Sequence, residues 1–432
     1  MKRFYFLLAL LLLLPCSLVA QDSVLVTLRG IVTDHDNGRR LPDVQVHVSG
    51  TNIATMTNAD GRFSLRLAQM PEQLLFSSIG YATVVVGRDQ LEKTQQVKEG
   101  KPVEELQISL QPRFTFLNDV FVYSPENILN AAIERIPQNF PTVPQSYEAF
   151  YRETIQKRGK YVSVSEAVME LYKTSYEDSP QRDMAVMVKG RSLISQRAKD
   201  TISVHVMGGP LESLMLDLVK DRELFLNPEM LLRYQLEIET PQTIDNRPQY
   251  VISFRPATTY IDPLFSGKIF IDYANLTFTR IEYNMDMSDV AKASAAILAK
   301  KPFGMRFKAR GLHIVMNYHN DGRLSYLRYL GVTYMFDCDW KKRGFATHYE
   351  ANSEMLITDI KPEAVRPNRH NAFRHHDTLA RQLTDFDDPD FWKDYNILLP
   401  TESLENAFRR IKKTYNQSVD LSFFAKTFKN IG

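Results

Sequence analysis

The chain contains very little cysteine. Its 432 residues include only Cys16 and Cys338. Cys16 lies in an apolar N-terminal stretch that we expect to be removed, so the mature chain would keep Cys338 alone and could form no internal disulfide. Because Cys338 lies within a strand-like run, we expect a thiol in the core or at an interface rather than a nucleophile.

The chain also lacks an excess of positive or negative charge. The sequence has 53 lysines and arginines against 51 aspartates and glutamates, a formal net charge of +2, and the two signs are interspersed. A nucleic-acid-binding protein needs a basic patch to meet the phosphate backbone. The sequence therefore excludes nucleic acid as the partner.

The common enzyme signatures are missing as well. The chain has no Gly-x-Ser-x-Gly elbow, Ser-x-x-Lys, phosphate loop, Gly-x-Gly-x-x-Gly, His-Glu-x-x-His or Cys-x-x-Cys. Each of these motifs fixes a nucleophile, a phosphate site, a metal or a redox pair at a defined spacing. We therefore predict no cofactor and assign no catalytic residue.

The N-terminus has the pattern of an export signal. Lys2 and Arg3 are followed by the apolar residues 4–14, and the small residue Ala20 ends the segment. A basic start, a short apolar core and a small residue at the cut are typical of a signal peptide. We predict a signal peptide over residues 1–20.

Two other interpretations of this segment are a membrane anchor and a lipid attachment site. The apolar run is shorter than the roughly 20 residues that a spanning helix needs, and no later run is long and apolar enough either. Lipid modification of Cys16 stays open, although Pro15 directly before it fits a lipid-attachment motif poorly.

Residues 22–111 have the pattern of a small β-sandwich. Apolar and polar residues alternate over Val44–Val48 and Phe63–Leu67, as in half-buried strands. Asp60-Gly61 lies before the second run, and we predict a hairpin turn there because glycine accepts a positive φ. Short strands at this spacing predict an antiparallel sandwich.

Four matches in order give this segment a resemblance to a known family. They are Gly30-Ile31-Val32, Leu41-Pro42-Asp43-Val44, Thr57-Asn58-Ala59-Asp60-Gly61-Arg62-Phe63 and Ile79-Gly80-Tyr81. The segment resembles the carboxypeptidase-regulatory-like domain, a transthyretin-like sandwich found at the N-terminus of TonB-dependent outer-membrane receptors. The resemblance implies a non-catalytic docking or spacer unit, exported to the periplasm or outer membrane of a Gram-negative bacterium.

A receptor of that kind does not fit in the remaining chain. Its barrel needs roughly 22 strands of about 10 residues each, besides a plug and loops. His35 and His47 of the module are expected at the surface rather than as metal ligands, because no carboxylates share their spacing.

The rest of the chain predicts a connector, a larger β domain and a tail. Residues 112–145 hold a helix capped by Ser124 and a proline-rich connector. Residues 146–362 predict an antiparallel, meandering β-rich domain with flanking helices at 211–220 and after Ser288. The predicted fold class is therefore mainly β, a transthyretin-like sandwich followed by a larger antiparallel domain.

One pair of strands in the larger domain has a resemblance of its own. Gly267–Tyr273 and Phe278–Tyr283 are similar to paired strands of lipoprotein-carrier-like half-barrels. That resemblance implies a curved sheet that shields an apolar cavity. An ordinary half-buried hairpin is the alternative.

Residues 363–432 predict a helical tail that packs on the larger domain. Its terminal helix would present one face, formed by Leu404, Phe408 and Ile411. Gly208-Gly209-Pro210, earlier in the chain, predicts a structural turn before a helix; an anion site formed by free backbone N–H groups is its alternative.

The tail also contains the best candidate for a metal site. The candidate ligands are His375, His376, Asp377, Asp387, Asp388 and Asp390. Imidazole and carboxylate suit zinc or manganese, but adjacent histidines point in different directions. We favour a solvated turn whose aspartates cap helices, and so predict no metal.

Two functional hypotheses remain. The first is a non-enzymatic cell-envelope protein that binds or docks a partner protein, or an apolar or polymeric ligand such as a lipid or glycan, through its β domains. The alternative is an envelope hydrolase, dependent on a metal or a carboxylate, that uses the His375/His376 cluster.

Overall fold

The computed structural model describes residues 26–95, 105–113, 124–195, 209–298, 304–340, 346–374, 377–379 and 391–413. The predicted signal peptide, His375 and His376 lie outside these ranges. Among the described residues, no helix is long and apolar enough to cross a membrane.

The N-terminal module forms two packed sheets. The first has the order β4-β1-β7 and consists of β1 (Val26–Asp34), β4 (Arg62–Leu67) and β7 (Leu106–Leu110). The second has the order β3-β2-β5-β6 and consists of β2 (Gln45–Val48), β3 (Ala54–Met56), β5 (Gln73–Ser77) and β6 (Val84–Gly87). Their inner faces share one apolar core, in which the rings of Phe63 and Phe76 lie 5.3 Å apart. Helix α1 (Arg88–Gln95) follows β6.

Two details of the module differ from the prediction. β1 and β7 are parallel, so the sandwich is not wholly antiparallel. Asp60-Gly61 forms a turn but not a hairpin, because β3 and β4 belong to different sheets. The Asn58 side-chain oxygen accepts hydrogen bonds from the backbone N–H groups of Asp60 and Arg62. This turn therefore carries the chain from one sheet to the other.

The larger domain is built on one open sheet of ten antiparallel strands. Its first four strands in the chain are β8 (Gln145–Lys157), β9 (Lys160–Lys173), β10 (Met184–Ile194) and β11 (Tyr234–Ile244). The others are β12 (Arg247–Pro256), β13 (Phe265–Asp272), β14 (Phe278–Met285), β15 (Met305–Asn320), β16 (Ser325–Trp340) and β17 (Thr347–Ile360).

The strand order departs from a simple meander. The order is β10-β9-β8-β17-β16-β15-β14-β13-β12-β11, so the first strand of the domain pairs with the last. Short connections predict which neighbours form hairpins, but the pairing of β8 with β17 closes a long loop that local patterns do not reveal.

The sheet has a helix face and a module face, because successive side chains of a strand point to opposite sides. On the helix face, Tyr151 and Ile314 pack with Leu129 and Leu214 in the largest apolar core. The helices are α2 (Pro125–Glu134), α3 (Ile136–Asn139), α4 (Pro210–Met215), α5 (Pro228–Leu231) and α6 (Val290–Ile297). The helices therefore cover this face of the sheet and share its apolar core.

The helix ends test the predicted caps. Ser124 caps α2, and its side chain accepts a hydrogen bond from the N–H of Asn127. Asp289, rather than the predicted Ser288, caps α6, because its carboxylate accepts from the N–H of Lys292 at 3.0 Å. The helix predicted at 211–220 is shorter and ends at Met215.

Candidate functional site

The module rests on the module face of the sheet together with the C-terminal segment. Met56 of the module packs in one apolar cluster with Phe150 and Leu356 of the sheet. Trp392 joins the cluster and lies perpendicular to Phe150, with 5.7 Å between ring centroids. The segment around Trp392 is therefore wedged between the two domains.

Polar contacts tie this segment to the edge of the module. The backbone N–H of Arg66 donates to the side chain of Asn396 at 2.7 Å, and Asn396 donates back to the carbonyl of Arg66 at 3.1 Å. Asn58 donates to the carbonyl of Pro400 at 2.9 Å. The amide group of Asn396 thus takes the place of a neighbouring strand beside β4.

A second set of contacts joins the module to β11 and β12. The backbone N–H of Gly80 donates to the carbonyl of Thr243 at 2.8 Å, and that of Thr83 donates to the side chain of Asn246. Ile79 packs in a small apolar cluster on the same strands. The module is held at both ends, and a cleft lies between the two sets of contacts.

His47 also belongs to this interface, which corrects the prediction that it lies at the surface. It is buried and stacks on His319 of β15, with ring centroids 3.8 Å apart. Burial lowers the pKa of His47 well below its usual value, and burial with the nearby Arg328 lowers the pKa of His319 to about 3. Both rings are therefore neutral near pH 7. His35 is exposed.

The cleft has a cavity of about 350 Å³ between the module and the sheet. A smaller cavity of about 160 Å³ lies beside it, and Pro42 and Asp43 line both. Ligand sites commonly form in such clefts at domain interfaces. The larger cavity is therefore the candidate functional site.

Asp43 forms part of the module wall of this cavity. It precedes β2 and adopts a positive φ of 59°, a conformation that aspartate accepts more readily than most residues. Within the described chain, its carboxylate accepts no hydrogen bond. Burial raises the pKa of Asp43, and the charge of Arg280 opposes that effect.

A row of charged side chains begins on the floor of the cavity with Glu354 and Arg152 and continues across the sheet. Strand register places Glu354 beside Arg152, Arg152 beside Glu166, and Glu166 beside Arg191. Arg152 donates to Glu166 at 2.9 Å and to the carbonyl of Leu398 at 2.6 Å. Burial acts to raise the pKa of Glu166, but the charges of Arg152 and Arg191 hold it below its usual value.

The negative charge of Glu354 is less completely neutralised by neighbouring arginines than that of Glu166. Its carboxylate is 3.6 Å from the nearest Arg152 nitrogen and 3.5 Å from the hydroxyl of Tyr329. Burial raises the pKa of Glu354; Arg152 opposes this and Asp43 adds to it. The cavity therefore has an incompletely neutralised carboxylate on its floor and another on its module wall.

The remaining floor is rich in hydroxyl and amide groups. Thr154, Asn352, Thr333 and His313 lie side by side on four neighbouring strands. All four line the cavity, and adjacent strands are about 4.8 Å apart. These donors and acceptors suit a ligand that carries several hydroxyl groups.

The residues singled out in the tail give no built site among those described. His375, His376, Asp387, Asp388 and Asp390 lie outside the described ranges. Asp377 accepts a hydrogen bond from the N–H of Arg374 at 3.0 Å, as a local cap. No group of three potential metal ligands occurs within the described ranges. The metal site therefore stays an untested alternative to the predicted solvated turn.

Gly209 and Cys338, which the sequence analysis also singled out, have structural roles. Gly209 has a positive φ of 46° and precedes the six-residue α4. Cys338 is buried in β16, in an apolar cluster with Phe336, and burial raises the pKa of its thiol to about 12. A thiol in this environment is a poor nucleophile.

A second charged cluster lies beneath the helices. Lys173 donates to Asp217 at 2.9 Å, Lys220 pairs with Asp183, and the hydroxyl of Tyr318 donates to Asp217 at 2.6 Å. All are buried. Because opposite charges pair here within packed side chains, we interpret this cluster as an anchor for the segment around α4 rather than as a site.

Comparisons with known proteins identify the module. Residues 28–122 match the family model of the CarboxypepD_reg-like domain, so the chain carries this domain at its N-terminus, as predicted. The match extends past the boundary predicted at residue 111. None of the curated proteins matches the chain.

Three solved structures are similar to part of the chain. A domain described as an outer membrane lipoprotein-sorting protein, from Vibrio parahaemolyticus, has 11% identity and a TM-score of 0.30, covering 57% of this chain and 97% of its own. A LolA superfamily protein from Nitrosomonas europaea has 11% identity and a TM-score of 0.19, with 56% and 96% covered. A DUF1329 family protein from Desulfovibrio piger has 10% identity and a TM-score of 0.23, with 54% and 94% covered.

Proposed function

We propose that this is a non-enzymatic cell-envelope binding protein that holds a polar, hydroxyl-rich ligand between its regulatory-like domain and its ten-stranded sheet. The export signal at residues 1–20 and the envelope location belong to this proposal. The observation that carries it is the cavity of about 350 Å³, with its floor of hydroxyl, amide and carboxylate groups.

The two faces of the sheet favour this ligand over a lipid. On the helix face, apolar side chains of the sheet such as Ile314 pack directly against those of the helices in one core. On the module face, Thr333 and Asn352 offer hydrogen bonds to the cavity. A lipid chain gains nothing from such groups and would leave them unsatisfied.

Rigid docking of the module supports recognition rather than a loose spacer role. The module is fixed by Asn396 on one side and by Thr243 and Asn246 on the other. A preformed cleft binds with less loss of entropy than one that assembles around its ligand. The module therefore supplies one wall of the site.

Native mass spectrometry of residues 21–432, purified from the native envelope fraction, tests the proposal. We expect a bound small molecule with a sugar-like mass. Thr333→Trp, which fills the cavity floor, should lose it, and Lys308→Trp, at an exposed position outside the cavity lining, should retain it. A lipid, or a ligand that Thr333→Trp retains, would contradict the proposal. A stoichiometric metal instead would favour the hydrolase hypothesis.

A further inference from the structure

We infer that the ligand carries a positively charged amine, which sits between Asp43 of the module and Glu354 of the sheet. This inference rests on the proposed binding function and narrows its ligand class. The charged groups that line the cavity are Asp43, Glu350, Glu354 and Arg152, besides His313. Acidic groups thus outnumber the single guanidinium.

The guanidinium in the cavity is already engaged. Arg152 bonds to Glu166 at 2.9 Å and to the carbonyl of Leu398 at 2.6 Å, and it approaches Glu354 only to 3.6 Å. Because the Nε and one terminal nitrogen of Arg152 bond to Glu166 and Leu398, only its other terminal nitrogen faces Glu354, and it does so beyond hydrogen-bond distance. The negative charge of Glu354 therefore faces the cavity with weak compensation.

The negative charge of Asp43 is neutralised even less by its neighbours. The positive charge that opposes the raised pKa of Asp43 is that of Arg280, whose guanidinium already donates to Glu282 at 3.0 Å and to Asn317 at 2.8 Å. Asp43 itself receives no hydrogen bond among the described residues. Asp43 lines the cavity without a hydrogen-bond donor among the described residues, so its charge is available to a ligand cation.

The carboxylates of Asp43 and Glu354 line the same cavity as Tyr329. Beyond the effect of burial, the charges of Glu354 and Asp43 each raise the pKa of Tyr329, which lines the cavity. A ligand that fills this one cavity can therefore meet both acidic groups and the Tyr329 hydroxyl.

An organic amine suits this arrangement better than a metal ion or an anion. Within the described chain, no group of three carboxylates, histidines or cysteines is arranged to hold a metal. An ammonium group has three donors and can serve two carboxylates and a hydroxyl at once. An anionic ligand would meet Asp43 and Glu354 with like charge. The hydroxyl-rich floor completes the site for an amine on a sugar-like skeleton.

Two disaccharides that differ in charge test the inference. Calorimetry would compare chitobiose with free amines, at a pH where they are charged, against N,N′-diacetylchitobiose. We expect the amine form to bind roughly tenfold tighter or more, as for a charge-assisted contact. Asp43→Asn and Glu354→Gln should each abolish that preference. Glu170→Gln, at an exposed position on β9, should leave it unchanged.

The outcomes separate this inference from the proposed function. Equal binding of the two disaccharides would overturn the amine inference and leave the polar binding site standing. If neither disaccharide binds, native mass spectrometry of Asp43→Asn decides: loss of the native ligand supports the inference, and retention overturns it. A wild-type protein with no native ligand would overturn both. Asparagine accepts the positive φ of residue 43, so this variant should fold.

Discussion

The stacked histidines at the domain interface predict that stability falls as the pH is lowered. Burial and Arg328 lower the pKa of His319 from 6.5 to about 3, while Asp321 opposes them weakly. The unfolded chain therefore binds a proton at His319 in a pH range where the folded protein does not. This contribution to stability is complete above the unfolded value of 6.5 and decreases as the pH falls from there toward about 3.

The magnitude follows from the two pKa values. Between about pH 7 and about pH 5, protonation of the unfolded histidine costs the folded state about 2 kcal/mol, because the folded ring stays neutral over this range. His47 is shifted in the same direction and adds to the loss. Glu153 contributes to the pH dependence of stability with the opposite sign, since burial raises its pKa to about 7. Comparison with a variant is therefore needed to isolate the histidines.

Denaturant unfolding of wild type and His319→Gln at several pH values measures this effect. We predict that the variant is less stable near neutral pH, but loses about 2 kcal/mol less than wild type on acidification. His35→Gln, at an exposed position, should follow the wild-type profile. Parallel wild-type and His319→Gln profiles would refute the claim that the buried ring remains neutral.

Two further predictions concern packing. Trp392→Ala should destabilise the protein by roughly 3 kcal/mol, because it removes the ring that packs between the two domains. Lys393→Ala, at an exposed position, should have little effect, and thermal unfolding measures both variants. Gly267→Ala should cost more than about 2 kcal/mol because its Cβ would lie 2.0 Å from the carbonyl oxygen of Glu282. Gly87→Ala, with open space around it, should stay within about 0.5 kcal/mol, and equal effects of the two glycine changes would contradict the close packing of β13 on β14.

Local patterns predicted much of the fold. Alternation over Phe63–Leu67 and the helix cap at Ser124 follow from side-chain periodicity and local hydrogen bonding, and the structure confirms a strand and a capped helix there. The pairing of β8 with β17 and the parallel pairing of β1 with β7 join segments far apart in the chain. No local signal encodes such pairings.

The candidate site was hidden for the same reason. From the sequence, Asp43 was noted only within a motif of the module, and Glu354 was not singled out. Their common position depends on how the module docks on the sheet, which requires the register of β16 with β17 and the burial of His47. The polar alternation around Glu354 and Asn352 was the one available signal, and it also fits an ordinary solvated face.

The most direct test of the central claim is a crystal structure of the mature protein purified from its native envelope fraction. We predict electron density for a polar molecule in the cleft, in contact with Asp43, Glu354 and Thr333. Density for an apolar molecule on the helix face, with solvent alone in the cleft, would contradict the account.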